Sequence, residues 1–208
     1  MRPRFPPEVT LLRTVHWKRL DQPWVECCTL LRGGRRSARW ILDGTVIGSF
    51  DGEPFDVRYA VLCQQDWSTA QVEVSAMIGT RVLGLELVRD KGQWFIDATE
   101  SPEQHESFDV DLGFSPATNS LPIRRLDLDV GNSSEIRTAW VRFPEMTVEP
   151  FPQRYTRLAE HRFLYESLTS DFKAELTVDD LGLVIDYQGI WTRGAEAGSP
   201  SPVPRPTG

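Results

Sequence analysis

From Val15 onward, short runs of alternating apolar and polar residues recur about every ten residues. Val72, Val74, Ala76 and Ile78 alternate with Gln71, Glu73 and Ser75, and Phe172, Ala174, Leu176 and Val178 with Lys173, Glu175 and Thr177. Period-two alternation puts one set of side chains on each face of a strand, as in a half-buried antiparallel sheet. In Phe108, Val110, Leu112 and Phe114 the apolar set shares one face, which leaves Asp109 and Asp111 on the wet one. Leu126, Leu128 and Val130 alternate with Asp127 and Asp129, predicting a strand over Ile123 to Val130. Gly33-Gly34, Asp43-Gly44, Asp51-Gly52, Asp90-Lys91-Gly92 and Gly131-Asn132 read as the turns between runs.

Helical periodicity is nearly absent. The segment FSPATNSLPIRRL (residues 114–126) breaks the strand pattern: Ser115 followed by Pro116 has the form of a helix cap and first turn, and Pro122 is expected to end the helix. A fainter helical period runs from Tyr155 to Leu168. So many strands need closure or a second layer, because an open sheet leaves edges unpaired and one apolar face wet. The expected architecture is all-β: a long antiparallel sheet curled into a roll or half-open barrel around one short helix. Seven tryptophans spread along the chain supply large rigid side chains for its interior. Residues 1–193 read as one domain; 194–208, rich in Gly, Ser and Pro, read as a disordered tail, and residues 1–8 are expected to fray.

Charge and composition narrow the partners. A formal net charge of -7 argues against nucleic acid, which calls for concentrated Lys and Arg. No run reaches the roughly 18 apolar residues of a membrane-spanning helix, and the N-terminus lacks the apolar stretch of a secretory signal. The expectation is a cytoplasmic protein whose three cysteines, Cys27, Cys28 and Cys63, are reduced thiols.

Recognisable chemistry is thin. His16, His105 and His161 stand apart from any ligand-spaced partner, and no nucleophile elbow, phosphate loop or dinucleotide fingerprint occurs, so no metal or cofactor is called for. Asp109 and Asp111, roughly 7 Å apart on one strand face, could share acid and base work beside Arg124 in a hydrolase or isomerase acting on a glycoside or small acid. The denser constellation is Asp111, Thr118, Asn119, Arg124, Arg125, Trp140, Arg142, Gln153, Arg154 and Tyr155, a collection of guanidinium forks, amides and a phenol suited to anions or hydroxyls. Alternation places Arg142 on the strand face of Trp140; if that face is internal, the charge needs a partner or a ligand. The arginines could equally brace the fold of a structural, dimer-forming module.

The stretches FDVDLGFSPATNSLPIRRLDL, AWVRFPEMTVEPFPQRYTRL and LTVDDLGLVIDYQGIWTR resemble the bacterial putative glycolipid-binding protein family over about Val15 to Arg193. The resemblance implies a spiral β-roll wrapped around a helix, a homodimer, and a glycolipid or other amphiphilic small molecule as partner. It carries no catalytic residues. On this reading Arg124 and Arg142 would hold a polar head, Asn119 and Gln153 would orient it, and Trp140 would stack on it.

Overall fold

A computed structural model describes residues 9–34 and 39–194. The expected frayed N-terminus and all of the expected tail except Gly194 lie outside these residues. The first half is an antiparallel meander of β1 (Val9–Arg19), β2 (Val25–Gly33), β3 (Trp40–Phe50), β4 (Glu53–Cys63), β5 (Thr69–Ile78), β6 (Arg81–Asp90), β7 (Gln93–Ile96) and β8 (Thr99–Glu100). A single 3₁₀ turn, Pro102–Gln104, leads to β9 (Ser107–Leu112). A second one, Ala117–Asn119, runs into the helix α1 (Ser120–Leu126). The second half continues as β10 (Ser133–Val141), β11 (Val148–Ala159), β12 (Arg162–Ser167), β13 (Lys173–Val178), β14 (Val184–Tyr187) and β15 (Trp191–Arg193).

All fifteen strands of the described residues belong to one sheet, ordered β8-β7-β6-β5-β4-β3-β2-β1-β15-β14-β13-β12-β11-β10-β9. The two chain ends of the fold therefore meet at its centre, where β1 pairs with β15. The two sheet edges, β8 and β9, are neighbours in sequence. The sheet curls so that these edges approach without a ladder between them. Side chains tie β9 to the meander: the Trp94 indole of β7 donates to the Ser107 carbonyl at 2.8 Å, and the Val110 amide to Thr69 Oγ1 of β5 at 3.0 Å. The expected half-open roll is thus observed, with one departure from the antiparallel pattern. β9 and β10 run parallel, and α1 is the crossover that a parallel pair requires.

The alternations predicted as strands hold at β5, where Val72, Val74, Ala76 and Ile78 are all buried, and at β13, where Ala174, Leu176 and Val178 are. Four other expectations fail. Ile123 to Val130 is no strand: α1 runs through Leu126 and ends where Asp127 turns left-handed at φ 42°. Pro122 does not end the helix, because it stands at the third helical position, where the missing N–H has no intrahelical acceptor to lose. Tyr155 to Leu168 is the end of β11, a turn and β12, not a helix. Nor is Asp43-Gly44 a turn. Gly44 lies within β3, and it is glycine there because a Cβ would stand 2.3 Å from the Tyr59 ring.

The roll is filled from both halves. Trp17, Tyr59, Trp94, Phe114, Leu121 and Tyr155 are almost completely buried. Ser120, Leu121, Pro122 and Ile123 make α1 a plug in the interior, as its apolar face requires.

Candidate functional site

The 3₁₀ turn Ala117–Asn119 and the strands β9 and β11 bring half of the predicted constellation together in two neighbouring groups. Gln153 Nε2 donates to Asp111 Oδ2 at 2.5 Å. Thr118 also bonds the Asp111 carboxylate, while its Oγ1 accepts the Leu112 amide at 3.1 Å. Tyr155 donates its hydroxyl to Asn119 Oδ1 at 2.9 Å, and Asn119 Nδ2 reaches the Pro116 carbonyl at 3.1 Å. Asp111 has only neutral partners in this network. Burial therefore outweighs its hydrogen bonds and pushes its carboxyl up to about 6.

Asp109, two residues earlier, is not on a wet face either; it is fully buried. The face it shares with Asp111 is turned toward α1, and the energetic cost of the charge is met by Arg125. Arg125 Nε lies 2.9 and 3.1 Å from the two carboxylate oxygens, and Nη2 is 2.6 Å from one of them. Such a bidentate pair is the arrangement that lets a buried carboxylate persist.

The other four candidates lie elsewhere. Trp140 packs on Phe151 at 4.7 Å between ring centres, and the Arg142 guanidinium sits 5.3 Å from its ring. Arg142 is paired with Glu149 at 3.3 Å on the surface, so no uncompensated charge is buried there. Arg154 bridges Glu135 at 2.5 Å and Glu166 at 3.5 Å, also at the surface. Arg124 makes one long hydrogen bond, 3.4 Å to the Asp180 carbonyl, sits 5.6 Å from the Trp67 ring centre, and lines a polar hollow of about 190 Å³ with Arg157 and His161. It does not meet Asp109 or Asp111 in any hydrogen bond or ion pair among the described residues.

Beside the Asp109–Arg125 pair a cleft of about 440 Å³ opens between α1 and β9, β10 and β11. Phe108, Leu126, Ile136, Pro152 and Leu168 give it apolar walls, and Arg125 stands among them. Asp109 occupies Nε and Nη2 of that guanidinium, but Nη1 has no hydrogen bond among the described residues. Arg137 and Glu106, paired at 2.8 Å, form the rim. Phe108 is 46% exposed although its alternation predicted an inward side chain; its ring instead lies beneath the guanidinium groups of Arg89 and Arg125, at 4.6 and 5.2 Å. A second hollow of the same volume lies on the outer face of β1, β2 and β3 around Val25, Cys27 and Ile47, and shares no residue with the predicted constellation.

One buried network was not anticipated. Glu26, 2% exposed, accepts the Tyr59 hydroxyl at 2.5 Å and Ser115 Oγ at 2.7 Å on the same oxygen. Ser115 thus ties β2 and β4 to the start of the plug, and its Oγ also accepts the Ala117 amide at 3.1 Å. Burial pushes the Glu26 carboxyl up to about 8. Its second oxygen is buried without a partner. A sequence signal existed: Glu26 shares period-two phase with Cys28 and Leu30, both buried. Cys27 and Cys28 of β2 and Cys63 of β4 are all free thiols.

No curated protein matches the chain. A crystal structure of a DUF1089 family protein from Pseudomonas aeruginosa is similar to it, with a TM-score of 0.73 and 29% identity over 93% of this chain and 100% of that one. The roll, its internal helix and the polar wall around it extend through the segment, residues 14–193, matched by the family model described as "Putative glycolipid-binding", and the chain belongs to that family.

Proposed function

We propose that the protein binds an amphiphilic, sugar-bearing small molecule and does not transform it. The observation that carries this reading is the cleft beside α1, where a partly free guanidinium, Arg125, stands among apolar walls in a volume suited to a small ligand. Arg125 offers Nη1 to an oxygen of a polar head, while Phe108 and Leu168, both partly exposed, cover the adjoining chain. The family description supports the same ligand class. An acid–base enzyme built on Asp109 has less support, because both oxygens of that carboxylate are held by Arg125. Arg124, the intended partner of such a base, faces Asp180 instead.

Native mass spectrometry and lipid extraction of freshly purified protein test the proposal, together with thermal stabilisation by a panel of glycolipids. The expected result is a co-purifying amphiphile or a glycolipid-dependent rise in Tm, reduced in a Phe108→Ala, Leu168→Ala double variant. A protein that carries no ligand and is stabilised by no member of the panel would overturn it. The same native spectrum reads whether two copies associate.

A further inference from the structure

Two guanidinium groups converge on one ring of the cleft beside α1. Phe108, on β9, lines that cleft and is 46% exposed. Arg125 reaches its ring from α1, at 5.2 Å from the ring centre, and Arg89 reaches it from β6 of the meander, at 4.6 Å. A ring attracts a guanidinium through its face but fills none of its five hydrogen-bonding positions.

The protein provides for the two arginines differently. Asp109 takes Nε and Nη2 of Arg125, which is 16% exposed in its side chain and keeps Nη1. Arg89 has no carboxylate. It is partly exposed, forms no hydrogen bond or ion pair among the described residues, and its Nε is enclosed without an acceptor. Burial draws its guanidinium below the usual arginine range, so the group is partly out of water as well as unpartnered. Two acids act on it from nearby: Asp109, bonded to Arg125, and Asp66, bonded to the Ser68 amide at 3.1 Å and hydroxyl at 2.7 Å. The acids of the cleft lining are committed too, Glu106 to Arg137 at 2.8 Å and Glu135 to Arg154 at 2.5 Å. An oxyanion arriving at Phe108 therefore meets unfilled guanidinium donors and no lining carboxylate without a cation.

We propose that the cleft selects an amphiphile with an acidic head, an oxyanion such as the carboxylate of a sugar acid, held at Phe108 by Arg125 and Arg89 while its apolar part lies along Ile136, Pro152 and Leu168; this deepens, and rests on, the reading of the protein as a binder of sugar-bearing amphiphiles. Hydrogen-bond chemistry decides the class. A guanidinium kept from water without an acceptor is costly, and a bond to an ionised oxygen is about twice as strong as one to a neutral hydroxyl. Phosphate and sulfate esters present the same oxygens, so the shared requirement is the oxyanion.

Titration calorimetry with octyl glucuronide, octyl glucoside below its micelle concentration, and methyl glucuronide tests the selection. The first two differ at one carbon of the sugar, a carboxylate against a hydroxymethyl group; the first and third differ in the chain. Octyl glucuronide is expected to bind about tenfold or more tightly than octyl glucoside. Arg89→Gln, which removes the charge and keeps an amide, brings the two octyl ligands to within about twofold, and Arg89→Lys restores part of the gap. Octyl glucuronide binding no more tightly than octyl glucoside overturns the acidic head and leaves the amphiphile reading standing. A preference for the glucuronide that survives Arg89→Gln unchanged overturns the site. Methyl glucuronide binding as tightly as octyl glucuronide supports the oxyanion site and overturns the amphiphile reading. Absence of binding by all three overturns both.

Discussion

Glu26 and Asp111 are both carboxylic acids drawn out of water with hydroxyl or amide partners and no cation, yet the two regions use them differently. Around Glu26 the walls are complete: Tyr59 and Ser115 close one oxygen and the other is sealed in without a partner. Around Asp111 the enclosure is partial, because the residue is itself only half-buried. Depth of burial sets the charge. Glu26, pushed up to about 8, is a neutral acid at pH 7, whereas Asp111, at about 6, is ionised there. A neutral sealed acid can pin the plug to the meander; an ionised, reachable one can accept a proton donor from outside. Asp109, one pleat away from Asp111, represents a third outcome, in which Arg125 supplies the missing cation.

Titrating Glu26 gives the largest effect expected from this contrast. Its folded carboxyl is raised, so its contribution to stability is complete below about 4.5 and is lost as pH rises through about 8. Urea unfolding across that range is expected to show wild-type stability falling relative to Glu26→Gln by on the order of 5 kcal/mol. Matching profiles for the two proteins would mean that Glu26 is not sealed. For Asp111 the same sign applies over a lower window, from about 3.8 to about 6, and the difference from Asp111→Asn is expected to be roughly 3 kcal/mol. Should the Asp111 window lie as high as that of Glu26, the distinction between an open and a closed acid collapses. The smallest effect is expected at the surface, where Arg142→Ala removes an exposed pair with Glu149 and costs about 0.5 kcal/mol or less by thermal unfolding.

The strands were legible wherever one face was buried and the other wet, as in β5 and β13, because period-two alternation then records the environment directly. It misled where both faces are covered. β9 is packed on the sheet through Val110 and turned toward α1 through Asp109 and Asp111, so its acids read as solvent-facing although Asp109 is fully buried. The same ambiguity turned Leu126, Leu128 and Val130 into an apparent strand, since three residues at period two cannot distinguish a strand from a helix end and its left-handed exit. Of the arginines, Arg125 was brought to the site and Arg124, its neighbour, was carried away from it. Adjacent residues on a helix point about 100° apart, a separation that composition cannot express.

By itself the sequence determined the class of fold, the presence of one short helix among many strands, and the residues that identify the family, because these depend on local propensity and on patterns within single elements. Only the tertiary structure decided which polar residues meet. The curl of the sheet brings β9, β10 and β11 around α1, so that Asp111, Thr118, Asn119, Gln153 and Tyr155 converge, while Trp140, Arg142 and Arg154 are left outside. Which carboxylates carry charge was decided there too. Burial and partners set that balance, and both are properties of the assembled roll.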